Sequence, residues 1–158
     1  MAKPASLLLM FFYGTLKQGQ SNHDRFCQGA VHIEAATTLG LLYELPFGFP
    51  GLHVNRDHVQ AIGTRDYLAD AGKQREGPAP LAPAPGWDIV YGELFIFEDP
   101  VRRLAALDAL EGYAPGEDGL YRRVLIPVQQ SRGEMILAWA YELTRPAGTY
   151  VPSGRWPA

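Results

Sequence analysis

An unbroken apolar run, Leu7-Leu8-Leu9-Met10-Phe11-Phe12, passes directly into Tyr13-Gly14-Thr15-Leu16-Lys17-Gln18-Gly19-Gln20-Ser21-Asn22-His23. A run this short, closed by glycine and then by polar residues, reads as a buried strand feeding a tight loop rather than as a helix. It falls far below the ~20 residues needed to span a bilayer and lacks a small-x-small cleavage pattern, so a first core strand explains it better than a leader or an anchor. Gly14 marks the strand's end. Without a Cβ, it lets the backbone bend and lets a ligand approach the amides of Gly14, Thr15 and Leu16, and successive amides in such a turn favour a carboxylate. A plain strand-to-loop turn accounts for the same glycine. Gly14 and Gly19 also mimic the spacing of a phosphate loop, but Gln20-Ser21 stands where that loop needs Lys and then Ser or Thr, which rejects a nucleotide site.

The rest of the chain supports a mixed α+β domain. Asn22 is placed to cap a short helix that Gly29 ends. Residues 31 to 43 are rich in β-branched and small side chains and predict a long strand bending at Gly40, after which 46 to 52 breaks regular structure. Short strands are expected within 54 to 57 and 60 to 68. Residues 70 to 86 form a low-complexity interval whose run from 77 to 86, rich in Pro and Ala, cannot sustain a helix or a ladder, which predicts a mobile loop inside the domain. Between 87 and 97 the alternation is clear, with Tyr91, Glu93, Phe95 and Phe97 on one face. Glu93 is thereby one candidate acid or base.

Asp99 is placed to cap a helix opening at Pro100, with Val101, Leu104, Ala105 and Leu107 recurring at helical spacing and Arg102, Arg103 and Asp108 able to face solvent. Gly112, Pro115 and Gly116 stop this helix near Leu110, leaving Glu111 at its C-terminal end. The negative partial charge there favours a raised carboxyl pKa, although a solvated surface glutamate fits the same position. Residues 121 to 128 and 135 to 143 form an expected antiparallel hairpin, with Trp139 and Tyr141 sharing a face. Trp156 marks an anchored tail.

A chain of 158 residues suits one domain spanning 1–158. Its net charge of -3 implies no basic face that would dominate phosphate binding, so nucleic acid is not an expected partner. The single Cys27 cannot form an internal disulfide and fits a reducing compartment. His53 and His58 lack the spacing or the cysteine pair of a zinc signature, and no metal site is expected.

Tyr13-Gly14-Thr15-Leu16-Lys17, followed by Gly19-Gln20 and Asn22-His23, resembles the opening motif of the γ-glutamylcyclotransferase-like family, closest to its γ-glutamylamine cyclotransferase and AIG2-like branch. Leu107-Asp108-Ala109-Leu110-Glu111-Gly112-Tyr113, with Tyr121-Arg122-Arg123 after it, resembles the segment carrying that family's catalytic glutamate. The likeness is carried by four islands, 12 to 23, 91 to 95, 107 to 123 and 153 to 156. It departs at the long insertion 70 to 86 and at the extra residues 115 to 119.

The resemblance implies an antiparallel-rich curled sheet or small β-barrel with one main helix and a cavity at the barrel's edge. It implies a cyclotransferase: the α-amine of a γ-glutamyl group attacks its own γ-carbonyl, closing 5-oxoproline and expelling an amine or amino acid, with no metal and no cofactor. By that match Glu111 is the catalytic residue, the Gly14, Thr15 and Leu16 amides hold the substrate's α-carboxylate, and Tyr13, Tyr121 and Tyr141 shape the pocket. The implied partner is a small γ-glutamyl molecule, with no membrane association and a cytoplasmic location. Two alternatives remain open at this stage: a non-catalytic module binding a small carboxylate, and an interaction protein working through its Pro-rich loop.

Overall fold

The computed structural model describes residues 7–74 and 85–157. Strand β1, Leu8–Phe12, is buried along its whole length because both faces are covered. Leu8, Met10 and Phe12 enter one apolar cluster, and Leu9 and Phe11 enter a second.

Four further strands close a ring around β1: β2 (His32–Glu44), β5 (Asp88–Phe97), β6 (Tyr121–Gln130) and β7 (Met135–Leu143). β1 pairs antiparallel with β5 and parallel with β7 at Met10 and Trp139, β5 pairs with β2, β7 with β6, and β6 returns to β2 at Ala36 and Thr37. The result is a small five-stranded barrel within a mixed sheet. Short strands extend it: β3 (Pro50–His53) and β8 (Thr149–Tyr150) on β2, and β4 (Ala61–Ile62) on β6. The expected curled, antiparallel-rich sheet is this barrel.

The two clusters follow the period-2 alternation of the strands. One is enclosed by strands and the tail, with small residues such as Ala36, Ala138 and Ala140 admitting Phe11 and Leu94. The other packs the opposite face, including Trp139 and Tyr141, against helix α3, Pro100–Glu111, through Leu104 and Leu107. The tail is anchored as Trp156 suggests: its ring is buried with Nε1 donating to Glu44, and Lys17 Nζ donates to its carbonyl at 2.5 Å. No helix among the described residues is long and apolar enough to cross a membrane.

Several local expectations give way to side-chain chemistry. In place of the strands expected over 54 to 57 and 60 to 68, only β4 forms. Asn55 accepts a hydrogen bond from the Asp57 amide and starts a 3-10 turn, Arg56–His58, while Asp66 accepts from the Ala69 amide and starts helix α2, Tyr67–Gly72. Such local bonds offer the backbone an alternative to a ladder. The loop expected from 70 therefore begins later, since Asp70 lies in α2 with no exposed surface. Residues 75–84, most of that Pro-rich interval, lie outside the described residues.

Asn22 precedes α1, His23–Phe26, without capping it, and its side chain donates instead to Thr15 Oγ1 at 2.9 Å. Asp99 precedes α3 but spends its carboxylate on Arg102 and Arg103. Arg103 and Asp108 are buried rather than solvated. Arg103 donates to the carbonyls of Phe26 and Gln28 and stands 4.3 Å over the Phe97 ring.

Candidate active site

The last turn of α3 is fixed from inside by a buried charged cluster. Arg123 donates through Nε and Nη2 to both oxygens of Asp108, at 2.9 and 3.1 Å, and through Nη1 to Asp70 at 3.0 Å. Its Nη2 also reaches the Thr64 carbonyl at 2.9 Å. Asp70 receives further bonds from the amide and hydroxyl of Thr64 and from Lys73. Burial alone would raise the Asp70 carboxyl, but these donors outweigh it and hold the carboxyl below its ordinary value. A planar guanidinium suits this paired recognition, and the charges compensate one another out of water.

One turn beyond Asp108, Glu111 ends α3, and Gly112 reverses the chain in a left-handed conformation at φ 67°. Glu111 opens into a cavity of about 490 Å³. The structure brings the motif-derived candidates to this one hollow: Glu111, Gly14, Thr15, Leu16, Tyr13, Tyr121 and Tyr141 line it. Burial is the larger cause that raises the Glu111 carboxyl to about 7, and the negative charge of Asp108 adds to it. Desolvation and a like charge thus do what the helix terminus alone was expected to do. Glu93 is not part of the lining; it accepts from the amide and side chain of Gln18 and braces the loop from behind.

The loop after β1 is held by its own bonds. The Lys17 amide donates to the Gly14 carbonyl, the Asn22 amide to the Thr15 carbonyl, and His23 Nδ1 lies 3.1 Å from the Leu16 carbonyl. The amides of Gly14, Thr15 and Leu16 donate to no protein acceptor among the described residues. Gly14 is required for a reason the sequence did not suggest: a Cβ there would lie 2.7 Å from Cγ of Pro50, so the loop packs directly on the start of β3.

The three tyrosines are fastened through their hydroxyls. Tyr13 donates to the Tyr141 carbonyl at 2.7 Å and accepts from the Leu52 amide at 3.1 Å. Tyr121 donates to the Pro50 carbonyl at 2.5 Å, and Tyr141 donates to Asp108 Oδ1 at 2.6 Å. Burial raises the Tyr121 hydroxyl, and the charge of Glu111 raises it further, so these two groups are electrostatic neighbours. With both donor and acceptor capacity of Tyr13 filled, its side chain is a strut, whereas Tyr121 keeps acceptor capacity towards the cavity.

Sequence reasoning missed Asp108, Arg123 and Asp70 as site supports. The one available signal was the charged pair embedded in the motif islands, Leu107-Asp108 and Arg122-Arg123. The loop bearing Phe47 and Phe49 supplies the cavity's outer wall, on the side where the resemblance implies a lining segment after the second long strand.

The sequence profile described as gamma-glutamyl cyclotransferase, AIG2-like, matches residues 10–65 and 63–158. No curated protein matches the chain. Among solved structures, YkqA from Bacillus subtilis is 22% identical with a TM-score of 0.58, over 95% of this chain but 39% of that one, so the chain spans well under half of YkqA. An AIG2-like protein from Mus musculus is 22% identical with a TM-score of 0.56, over 89% of this chain and 80% of that one. The E. coli protein c4763 is 14% identical with a TM-score of 0.52, over 95% and 92% of the two chains. At these identities the likeness is one of fold.

Proposed function

Since the chain belongs to the gamma-glutamyl cyclotransferase, AIG2-like family, we propose that it cleaves a γ-glutamyl amide by intramolecular attack, releasing 5-oxoproline and a free amine or amino acid. The observation that carries this reading is a carboxyl raised to about 7, on Glu111, sharing a cavity of about 490 Å³ with the uncommitted main-chain donors of residues 14 to 16.

In the reaction the amides of Gly14, Thr15 and Leu16 hold the α-carboxylate and so fix the α-carbon. Ionised Glu111 takes a proton from the α-ammonium. The freed amine adds to the γ-carbonyl, forming the ring C–N bond. Glu111 then returns the proton to the γ-nitrogen as the original C–N bond breaks; the extra proton left on the ring nitrogen also passes through Glu111 to the expelled amine, which departs as an ammonium. A group with a pKa near the working pH is suited to both halves of that transfer, typically worth about 100 to 10,000-fold. Holding the chain curled supplies part of the roughly 7–11 kcal/mol available from orientation.

Under this reading the protein works in the cytoplasm, where Cys27, raised to about 12 chiefly by burial, stays a packing residue. The decisive experiment incubates purified parent and Glu111→Gln with a set of γ-glutamyl amides and measures 5-oxoproline. Equal release by both refutes the role of Glu111. Saturable binding without turnover by the parent would instead mark a carboxylate-binding module, a use to which a neighbouring anion contributes nothing.

A further inference from the structure

With Glu111 and the residue 14 to 16 amides assigned to the glutamyl half, the outer wall of the cavity remains unassigned. It is built on the turn that joins β2 to β3. The Leu45 amide donates to the Phe49 carbonyl and the Gly48 amide to the Leu45 carbonyl, so the turn is closed on itself and projects Phe47 from its tip. Phe47 is 74% exposed, the most exposed large apolar side chain among the described residues. Its ring stacks on Phe49 at 5.6 Å and 20°, and Phe49 in turn meets Tyr121 at 6.4 Å. Three rings therefore run from beside Glu111 out to solvent. Leu110 and Leu120, the latter 42% exposed, complete the wall.

From this wall, and resting on the cyclotransferase reading, we infer that the amine expelled is aromatic or apolar, its side chain seated against Phe47 and Phe49. Two features favour that chemistry over a charged amine. An apolar substituent removes ring surface from water, and offset aromatic contact adds to the gain. Among the described residues, Glu111 is the only carboxylate lining the cavity, so an ammonium carried by the leaving amine would meet no counter-ion of its own.

The test compares γ-glutamyl-benzylamide, γ-glutamyl-ethylamide and ε-(γ-glutamyl)lysine. The parent is expected to favour the benzylamide over each of the others by about tenfold in kcat/KM. Phe47→Ala is expected to reduce that preference about fivefold, and because Phe47 is exposed the substitution leaves the core intact. Equal kcat/KM for the three compounds, or preference for the lysine conjugate, overturns the inference while leaving the cyclotransferase reading in place. If none of the three yields 5-oxoproline, that reading fails by itself. Calorimetric binding to the parent then decides the seat on Phe47 and Phe49 by itself: about tenfold tighter binding of the benzylamide than of the ethylamide supports an aromatic-binding wall, and parity overturns it.

Discussion

Arg123 and Asp108 meet edge to edge, two nitrogens of one planar group donating to the two oxygens of another at 2.9 and 3.1 Å. Asp108 also accepts the Tyr141 hydroxyl, so the barrel wall and α3 are joined through a single carboxylate. Arg123→Met removes the only cation that faces Asp108 among the described residues and also strips Asp70 of one donor. Removing one partner of a buried pair leaves an uncompensated charge, and the expected loss is about 3–5 kcal/mol in urea denaturation. Arg123→Lys, which cannot bridge both oxygens, is expected to recover less than half of it.

Glu111→Gln is expected to lower kcat for 5-oxoproline release by about 100 to 10,000-fold, with a much smaller change in KM. Glu93→Gln, which alters a carboxylate behind the loop, is expected to stay within about tenfold of the parent. A larger loss in the Glu93 variant than in the Glu111 variant would exchange the two assignments.

Glu111 is raised from 4.5 to about 7 on folding, so the native state holds its proton more tightly than the unfolded chain. Burying the carboxyl costs no stability below pH 4.5; the cost grows from there to about pH 7 and stays constant above. Glu111→Gln abolishes that cost. After allowing for partial exposure, the variant is expected to gain about 1–2 kcal/mol over the parent at pH 8 and nothing at pH 4. Activity runs in the opposite sense, with kcat/KM of the parent rising as the base ionises through about pH 7. Denaturation and rate profiles on the same pair check both.

Gly14→Ala would place a methyl 2.7 Å from Cγ and 3.1 Å from Cδ of Pro50. The expected cost is about 1–3 kcal/mol of overpacking. Because the displaced backbone carries the anion-holding amides, KM for γ-glutamyl amides is expected to rise more than kcat falls. Thermal denaturation and steady-state kinetics separate the two effects.

Much of the fold was legible because it obeys simple periods. The apolar run fixed β1, alternation fixed β5 and the β6 to β7 hairpin, and Pro100 with Gly112 bracketed α3. What stayed hidden was long-range and polar. Asp70 and Arg123 are 53 residues apart, and a charged residue at a solvent-facing register looks the same whether it meets water or a partner. The same blindness hid the tyrosine hydroxyls, whose acceptors are the main-chain carbonyls of Tyr141 and Pro50 and the Asp108 carboxylate. The strands expected within 54 to 57 and 60 to 68 gave way to a 3-10 turn from Arg56 and a helix from Tyr67, where Asn55 and Asp66 satisfy nearby amides. Motif likeness selected Glu111, but burial against the barrel, which no local pattern encodes, is the main reason its carboxyl is raised.

The placement of β1 between β5 and β7 has a temporal consequence. During synthesis β1 has no neighbour in this sheet to pair with until segments some eighty and then more than a hundred and twenty residues later have been made. Contacts so distant in sequence favour slow, late closure. The glycine loop hangs from β1 and the glutamate from a helix made afterwards, so the hollow between them can form only once both segments have been synthesised.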